Sequence, residues 1–318
     1  GRITITIHED EKIEAAEIIK AIKNFTKGGF KKSDIAILYR TNAQSRAIEE
    51  SLIKSAIPYK LVSGVKFYER KEIKDILAYL KVSLNPDDIF SKKRTLNTPP
   101  RGIGKTLSLK ILGNAKLSQA EEKKYEVYKN LIKKIVNALK SIKAHDVIKF
   151  IIKEAGFEKY FLQTKEGKDR LNNIMELVTV AKKFRKEIPL ESAEKFLEEI
   201  SLMSDQDSID SSEEKIHLLT AHAAKGLEFP IIIITGLEEG LFPHVLAQEE
   251  GMLEEERRLF YVALTRAKEK ILITLTRRRT LYGEMQFNMP SRFIKEIPKE
   301  LADISLEIDE TPEDDIYV

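Results

Sequence analysis

Four consecutive isoleucines in the run IIIITGL (231–237) constrain this chain more than any other feature. Such a stretch leaves no polar face for water, so it reads as a strand buried on both sides of a parallel sheet. Further strand signals lie at ITITI (3–7), IAILYR (35–40), IHLLTAH (216–222) and KILITLT (270–276), all toward the two ends of the sequence. Ala15, Ile18, Ile19 and Ile22 recur at helical spacing, and a helix starting near Ser45 would turn Ile48 and Leu52 inward. Both ends therefore predict α/β structure.

The middle of the chain has almost no strand signal and predicts helices. Ile73, Ile76, Leu77 and Leu80 share one face; Tyr128, Leu131, Ile132, Ile135, Leu139 and Ile142 form a second stripe; Leu171, Ile174, Leu177, Ala181 and Phe184 form a third. Asp146 is placed to cap a short helix running to Gly156. The polar stretch SDQDSIDSSEEK (204–215) closes the block as a linker. If the strands on either side share one sheet, the α/β domain is split in sequence and a mainly helical domain is inserted into it. The 318 residues, at about 150 per domain, suit two domains. The boundaries read as 1–64 and 213–297 for the α/β domain, 65–212 for the helical one, and an acidic, frayed tail over 298–318.

Composition excludes several functions. Lys and Arg number 54 against 51 Asp and Glu, a net +3 that argues against a histone-like tail and leaves any anion-binding surface to local clustering. There is no cysteine, which removes disulfides, thiolate metal sites and cysteine nucleophiles and suits a reducing compartment. The longest apolar run, 230–234 with its flanks, is too short to span a bilayer, and the opening GRITITIHED has no signal-peptide pattern. The expectation is a soluble, cytoplasmic protein with no membrane partner and no metal site of its own. Because it begins at Gly1 and runs straight into a strand, the sequence reads as a piece of something longer.

Three motifs carry chemistry. PPRGIGKT (99–106) ends like a phosphate-binding P-loop, but Pro99 stands where that motif needs its first glycine, and no apolar strand precedes it. A better reading is a Gly102-Ile103-Gly104 turn opening a helix from Lys105 to Leu112, with its amides facing an anion. Lys92, Lys93, Arg94, Arg101, Lys105 and Lys110 crowd that segment and suit a nucleic-acid phosphate; the alternative is a plain loop and a solvated basic helix. TAHAAKGLEF (220–229) lies between two strands and holds His222, Lys225, Gly226 and Glu228: a base stacker, a phosphate-reaching cation, a backbone hinge and a carboxylate able to bond a ribose hydroxyl. The plainer reading is a hydrogen-bonded turn histidine and a surface carboxylate. EEERRLFYVALTRAKEK (254–270) starts acidic, as a helix N-terminus does, turns Leu259, Val262 and Ala263 inward, and carries Arg266 just before a buried strand. There a guanidinium either is solvated or reaches a neighbour's phosphate.

Together with ILYRTNAQSR (37–46), FYERKEIKDILAYL (67–80), NTPPRGIGKT (97–106) and GLEEGLFPH (236–244), the second and third motifs make six collinear stretches that closely resemble the UvrD/PcrA/Rep helicases of superfamily 1. The resemblance reaches to about Pro298. It implies the second RecA-like domain (2A) of a P-loop NTPase-like fold, interrupted by its helical insertion (2B), from a motor that uses ATP and Mg2+ to walk 3′ to 5′ along single-stranded DNA. The Walker A loop, the Asp-Glu pair and motif IV would belong to the preceding N-terminal RecA-like half, and YRTN (39–42) is not motif IV. Residue by residue, the resemblance makes Arg266 the arginine finger on the γ-phosphate and Glu228 the ribose carboxylate, with Gly226 beside it. Arg40, Asn42, His222 and Lys225 fall at single-strand contacts, and His244 and Tyr282 at further DNA contacts, where Tyr282 would offer a stacking face. Gly102, Ile103 and Gly104, with Lys105, fall at the duplex-backbone contact ahead of a single-strand/duplex junction. Ala221 and the short insertion depart from the usual pattern. Repair or replication proteins are further implied partners, and the piece alone should not hydrolyse ATP. The rival readings are a stand-alone nucleic-acid-binding module and a protein-interaction module.

Overall fold

The computed structural model describes residues 3–208, 214–249 and 251–306. They fall into two compact units, one made of 3–64, 214–249, 251–279 and 286–306, the other of 65–208 and 280–285.

The chain opens with β1 (Ile3–His8), α1 (Glu11–Lys27), β2 (Ile35–Tyr39), α2 (Ser45–Lys54) and β3 (Tyr59–Leu61). It then runs through α3 (Lys71–Leu84), α4 (Ile89–Thr95), α5 (Lys105–Leu112), α6 (Gln119–Ser141), α7 (Ala144–Ala155), α8 (Phe157–Phe161), α9 (Gly167–Ala181) and α10 (Pro189–Ser208). It continues with β4 (Ile216–Thr220), β5 (Phe229–Thr235), α11 (Val245–Glu249), α12 (Leu253–Leu264), β6 (Ala267–Thr276), the short pair β7 (Arg279–Leu281) and β8 (Glu284–Gln286), and β9 (Ala302–Leu306).

In the first unit the strands lie in the order β3-β4-β2-β5-β6-β1-β9, every neighbouring pair parallel. Alternation along each strand feeds two cores. Ile35, Ile37, Tyr39, Ile231 and Ile233 meet Ile18, Ile19 and Ile22 of α1 and Ile48 and Leu52 of α2. On the opposite face Ala36, Leu38, Ile232, Ile234, Ile273 and Leu275 pack with Phe260 and Ala263 of α12 and with Phe293. The isoleucine run is buried throughout, as a strand covered on both faces must be. Asp10 caps α1 by accepting from the Lys12 and Ile13 amides at 3.0 and 3.1 Å, a contact worth about 1 kcal/mol.

The second unit is built from helices. Its main core joins Phe67, Ile76, Leu80, Leu131, Ile135, Ile148, Ile151, Phe157, Leu177 and Phe196. A smaller core of Leu96, Ile103, Leu107, Ile111 and Tyr128 seats α5 against α6.

Several expectations need correction. α7 starts at Ala144, so Asp146 lies in its first turn and is not its cap; Gly156, at φ 82°, does end it. α10 extends to Ser208, which makes the first part of the expected linker helical, while 209–213 lie outside the described residues. Residues 302–306 form a strand paired with β1, so the tail expected from 298 begins as sheet edge; 307–318 lie outside the described residues. Residues 280–285, expected with the α/β domain, group with the helices: the Gly283 amide donates to Thr179 Oγ1 at 3.0 Å and the Tyr282 amide to Glu176.

A buried ionic cluster ties the C-terminal ends of β5 and β6 to the first turn of α1. Arg279 Nη2 donates to Glu14 at 2.6 Å and to Glu238 at 2.7 Å, and all three side chains are at most 4% exposed. Glu14 also accepts from Thr274 Oγ1 and the Gly236 amide, and Glu238 from the Thr276 amide and Asn288. Burial opposes the charge on Glu238, but Arg279 holds its pKa below the ordinary 4.5, so its contribution to stability is full above that pH and is withdrawn as pH falls through the lowered value. Replacing Arg279 by Met strands two buried carboxylates at a cost of about 3–5 kcal/mol. Hydrogen exchange of the slowest β5 and β6 amides should accelerate by about 100-fold or more, as read by mass spectrometry.

Candidate functional site

Because every strand of the sheet runs the same way, its two edges are chemically distinct, and the candidate residues of the first unit divide between them. At the C-terminal edge, β2 delivers Arg40 and Asn42, β4 delivers His222, and the loop after β5 delivers His244. At the N-terminal edge, Arg266 immediately precedes β6 and Glu228 immediately precedes β5. The segment 221–228 joins the edges as a chain of turns, with the Ala224 amide on Thr220 O and the Leu227 amide on Ala224 O, so Lys225 and Gly226 lie along the connection. Gly226 has φ +85°, a conformation that favours glycine. The motif read as one unit in sequence thus serves two places.

The C-terminal cluster is fixed by buried polar groups. Gln44 accepts from the Arg40 and Thr41 amides at 3.0 and 2.8 Å and donates to Thr235 O at 3.2 Å, locking the turn after β2 to the end of β5. A side chain on Gly236 would put its Cβ 2.4 Å from Gln44 Nε2, which is why glycine stands there. Arg40 grips Glu256 of α12 with Nε at 3.1 and 2.9 Å and Nη2 at 2.7 Å. The same carboxylate accepts from the His244 amide at 3.0 Å. Burial works against its charge, yet these hydrogen bonds hold the Glu256 carboxyl below its ordinary pKa. His222 is exposed at the same edge; desolvation on the protein side of its ring, then the Arg40 charge, push its pKa below 6.5, against the opposing pull of Glu256.

At the N-terminal edge, Arg266 Nε donates to Val262 O at 3.1 Å, Nη1 to Leu227 O at 3.3 Å and Nη2 to Thr265 Oγ1 at 3.2 Å. Its carbonyl accepts from the Phe229 amide at 2.9 Å, joining the starts of β5 and β6. None of these partners is charged. The other described arginines of this unit, Arg40, Arg46, Arg257, Arg258, Arg277, Arg278, Arg279 and Arg292, all have a carboxylate within ion-pair distance. Arg266 alone among them has none. Glu228 is exposed and 3.7 Å from Lys268.

In the second unit, Gly102 takes φ +72° and Gly104 precedes α5 with no side-chain cap. The Ile103 side chain is buried, so only its backbone faces outward chemistry, and its amide is already held by Asn97 Oδ1 at 3.2 Å. The basic cluster is thinner than its composition. Arg94 is paired with Asp75, Lys110 with Glu121, and Arg101 donates to Thr95, Pro99 and Ala155 carbonyls. Lys92 lies over the Tyr125 ring at 6.0 Å, while Lys93 and Lys105 have no ion pair among the described residues. Tyr282 sits at φ 56° in the hairpin tip that packs on α9.

Residues 1–278 match the sequence profile of the UvrD-like helicase C-terminal domain. The chain belongs to this family. It is 41% identical over 321 residues to the ATP-dependent DNA helicase PcrA of Staphylococcus epidermidis, and 40% identical over 317 residues to that of Staphylococcus aureus. Each alignment covers 92% of this chain and 43% of the relative, so the chain spans less than half the length of these curated relatives. Among the described residues, no helix is long and apolar enough to cross a membrane, and no group of three His, Asp or Glu could hold a metal ion.

Gln44 and Glu256 had drawn no functional reading from sequence. For Glu256 a signal existed: it sits four and seven residues before Phe260 and Ala263, on the buried face of α12, where a carboxylate demands a partner. That stripe also corrects the expected inward face, since Phe260 is buried while Leu259 and Val262 are only partly so. The arrangement predicts that the His222 imidazole titrates with a midpoint below 6.5 and stays neutral at pH 7. NMR titration should also find that Arg40→Ala moves the midpoint up, since it removes a cation and frees the Glu256 charge.

Proposed function

We propose that this chain is the C-terminal part of an ATP-dependent DNA helicase that moves 3′ to 5′ on single-stranded DNA and unwinds duplex in repair or replication. The single observation that carries the reading is that Arg266 is the one described arginine of the sheet unit without a carboxylate partner; the resemblance noted in the sequence would make it the arginine finger. A guanidinium at a sheet edge with no carboxylate beside it keeps its full charge for an incoming anion, and a γ-phosphate held by an N-terminal RecA-like half would supply one. Glu228 would bond the ribose of the same ATP, with Gly226 giving the backbone turn beside it. Mg2+ would be held mainly by that N-terminal half, where it would neutralise phosphate charge.

The single strand would run over the opposite edge of the sheet, where Arg40, Asn42, His222 and His244 lie, with Lys225 on the connection leading from it; Tyr282, a residue of the helical unit, would offer a stacking face of its own. A neutral His222 suits stacking better than ion pairing. The helical unit would be the inserted domain 2B, with the turn Gly102-Ile103-Gly104 meeting the duplex backbone through the Gly102 and Gly104 amides while Asn97 holds that of Ile103, and with Lys105 adding a cation that has no ion pair among the described residues. ATP would act at one end of the strands and DNA at the other, so that closing on the γ-phosphate and releasing it after hydrolysis becomes a step along the strand.

In the full-length protein, Arg266→Ala should lower DNA-stimulated ATP turnover by about 10³-fold or more while leaving the circular dichroism spectrum and DNA binding without nucleotide unchanged. Near-normal turnover would refute the assignment. The 318-residue chain alone should show no Mg2+-dependent ATPase that scales with its concentration; such activity would restore the 99–106 loop as a nucleotide site.

A further inference from the structure

The candidate strand-binding arginine is not a bare cation. Glu256 engages two of Arg40's three guanidinium nitrogens, and both side chains are largely buried, at 19% and 5% exposure. Nη1 remains without a hydrogen-bond partner among the described residues, so the fork can still donate to an incoming oxygen. Its charge, however, is already balanced from behind. Glu256 cannot readily turn away, because its Oε2 also holds the His244 amide and it rises from the buried face of α12.

We propose that Glu256 is a built-in counter-charge that competes with the single-strand phosphate for Arg40, keeping this contact geometric and weakly ionic. The proposal rests on reading Arg40 as a phosphate contact. A phosphate arriving at Nη1 meets a guanidinium–carboxylate pair, so Arg40 orients the backbone but adds little to the ionic part of binding. For a protein that must let go of each phosphate it passes, a contact of this kind holds register without anchoring the strand. The same carboxylate sets the His244 loop, so one side chain positions two of the candidate contacts.

The test is a fluorescence-anisotropy titration of labelled oligo(dT) with the full-length protein across a salt series. Removing the counter-charge with Glu256→Gln, which keeps the shape and one acceptor, should let Arg40 act as a full cation. The plot of log affinity against log salt should steepen by about 0.7, making binding roughly eightfold tighter at about 0.05 M salt than the wild type, with the two converging near 1 M. Arg40→Ala should weaken binding, and the double variant should match Arg40→Ala alone. A Glu256→Gln protein that binds more weakly or with an unchanged slope, alongside a weakened Arg40→Ala, overturns the counter-charge and leaves the phosphate contact standing. Unchanged binding in Arg40→Ala overturns both. Should Glu256→Gln lose its native circular dichroism, Glu256→Asp carries the test: a wild-type slope is expected, and a steeper one overturns the proposal.

Discussion

A parallel sheet covered on both faces admits a polar side chain along its strands only where a buried partner meets it, as Glu14 meets Thr274, and that constraint governs where chemistry can occur in this protein. Four isoleucines of β5 and the whole of β2 are buried. The candidate functional groups are therefore displaced to the ends of the strands, where backbone amides and carbonyls also run out of ladder partners. Arg40, His222 and His244 gather at one edge, and Arg266 and Glu228 at the other. At about 3.3 Å per residue, the seven residues of β5 put roughly 20 Å between the two groups.

What bridges that span is α12. Glu256 in its first turn holds Arg40 and the His244 loop, Phe260 and Ala263 anchor its middle in the core, and its C-terminal end leads directly to Arg266. One helix thus has a carboxylate wedged among the groups of one edge and ends two residues before the guanidinium of the other. The two ends differ electrostatically: the arginine at the first edge is neutralised by its own protein, and the one at the second is not. The buried cluster of Arg279, Glu14 and Glu238 adds rigidity beneath the first edge, since the Gly236 amide and Thr274 are held by the same carboxylate that receives the arginine.

Much of the fold was legible because hydrophobic periodicity is a local property. The five long strands, α1, α2 and the helical character of the middle all follow from runs and stripes that tertiary packing merely used. The elements that escaped are those whose apolar signal is short or whose partners are distant. β3 and β9 hold their places by pairing with β4 and β1, not by any strong pattern of their own. α10 extends into SDQDS because a helix already anchored by Ala193, Phe196 and Ile200 can carry a polar last turn.

The sequence by itself determined the α/β class, the helical middle, the family resemblance and which residue types could meet phosphate, ribose or base, since these depend on local pattern and chemical identity. Only the tertiary structure decided which of those groups share an edge, that Arg40 is matched by a glutamate 216 positions away, and that Arg266 is matched by none among the described residues. Charge in a protein is settled by what folding brings within a few ångströms, and no spacing along the chain records that.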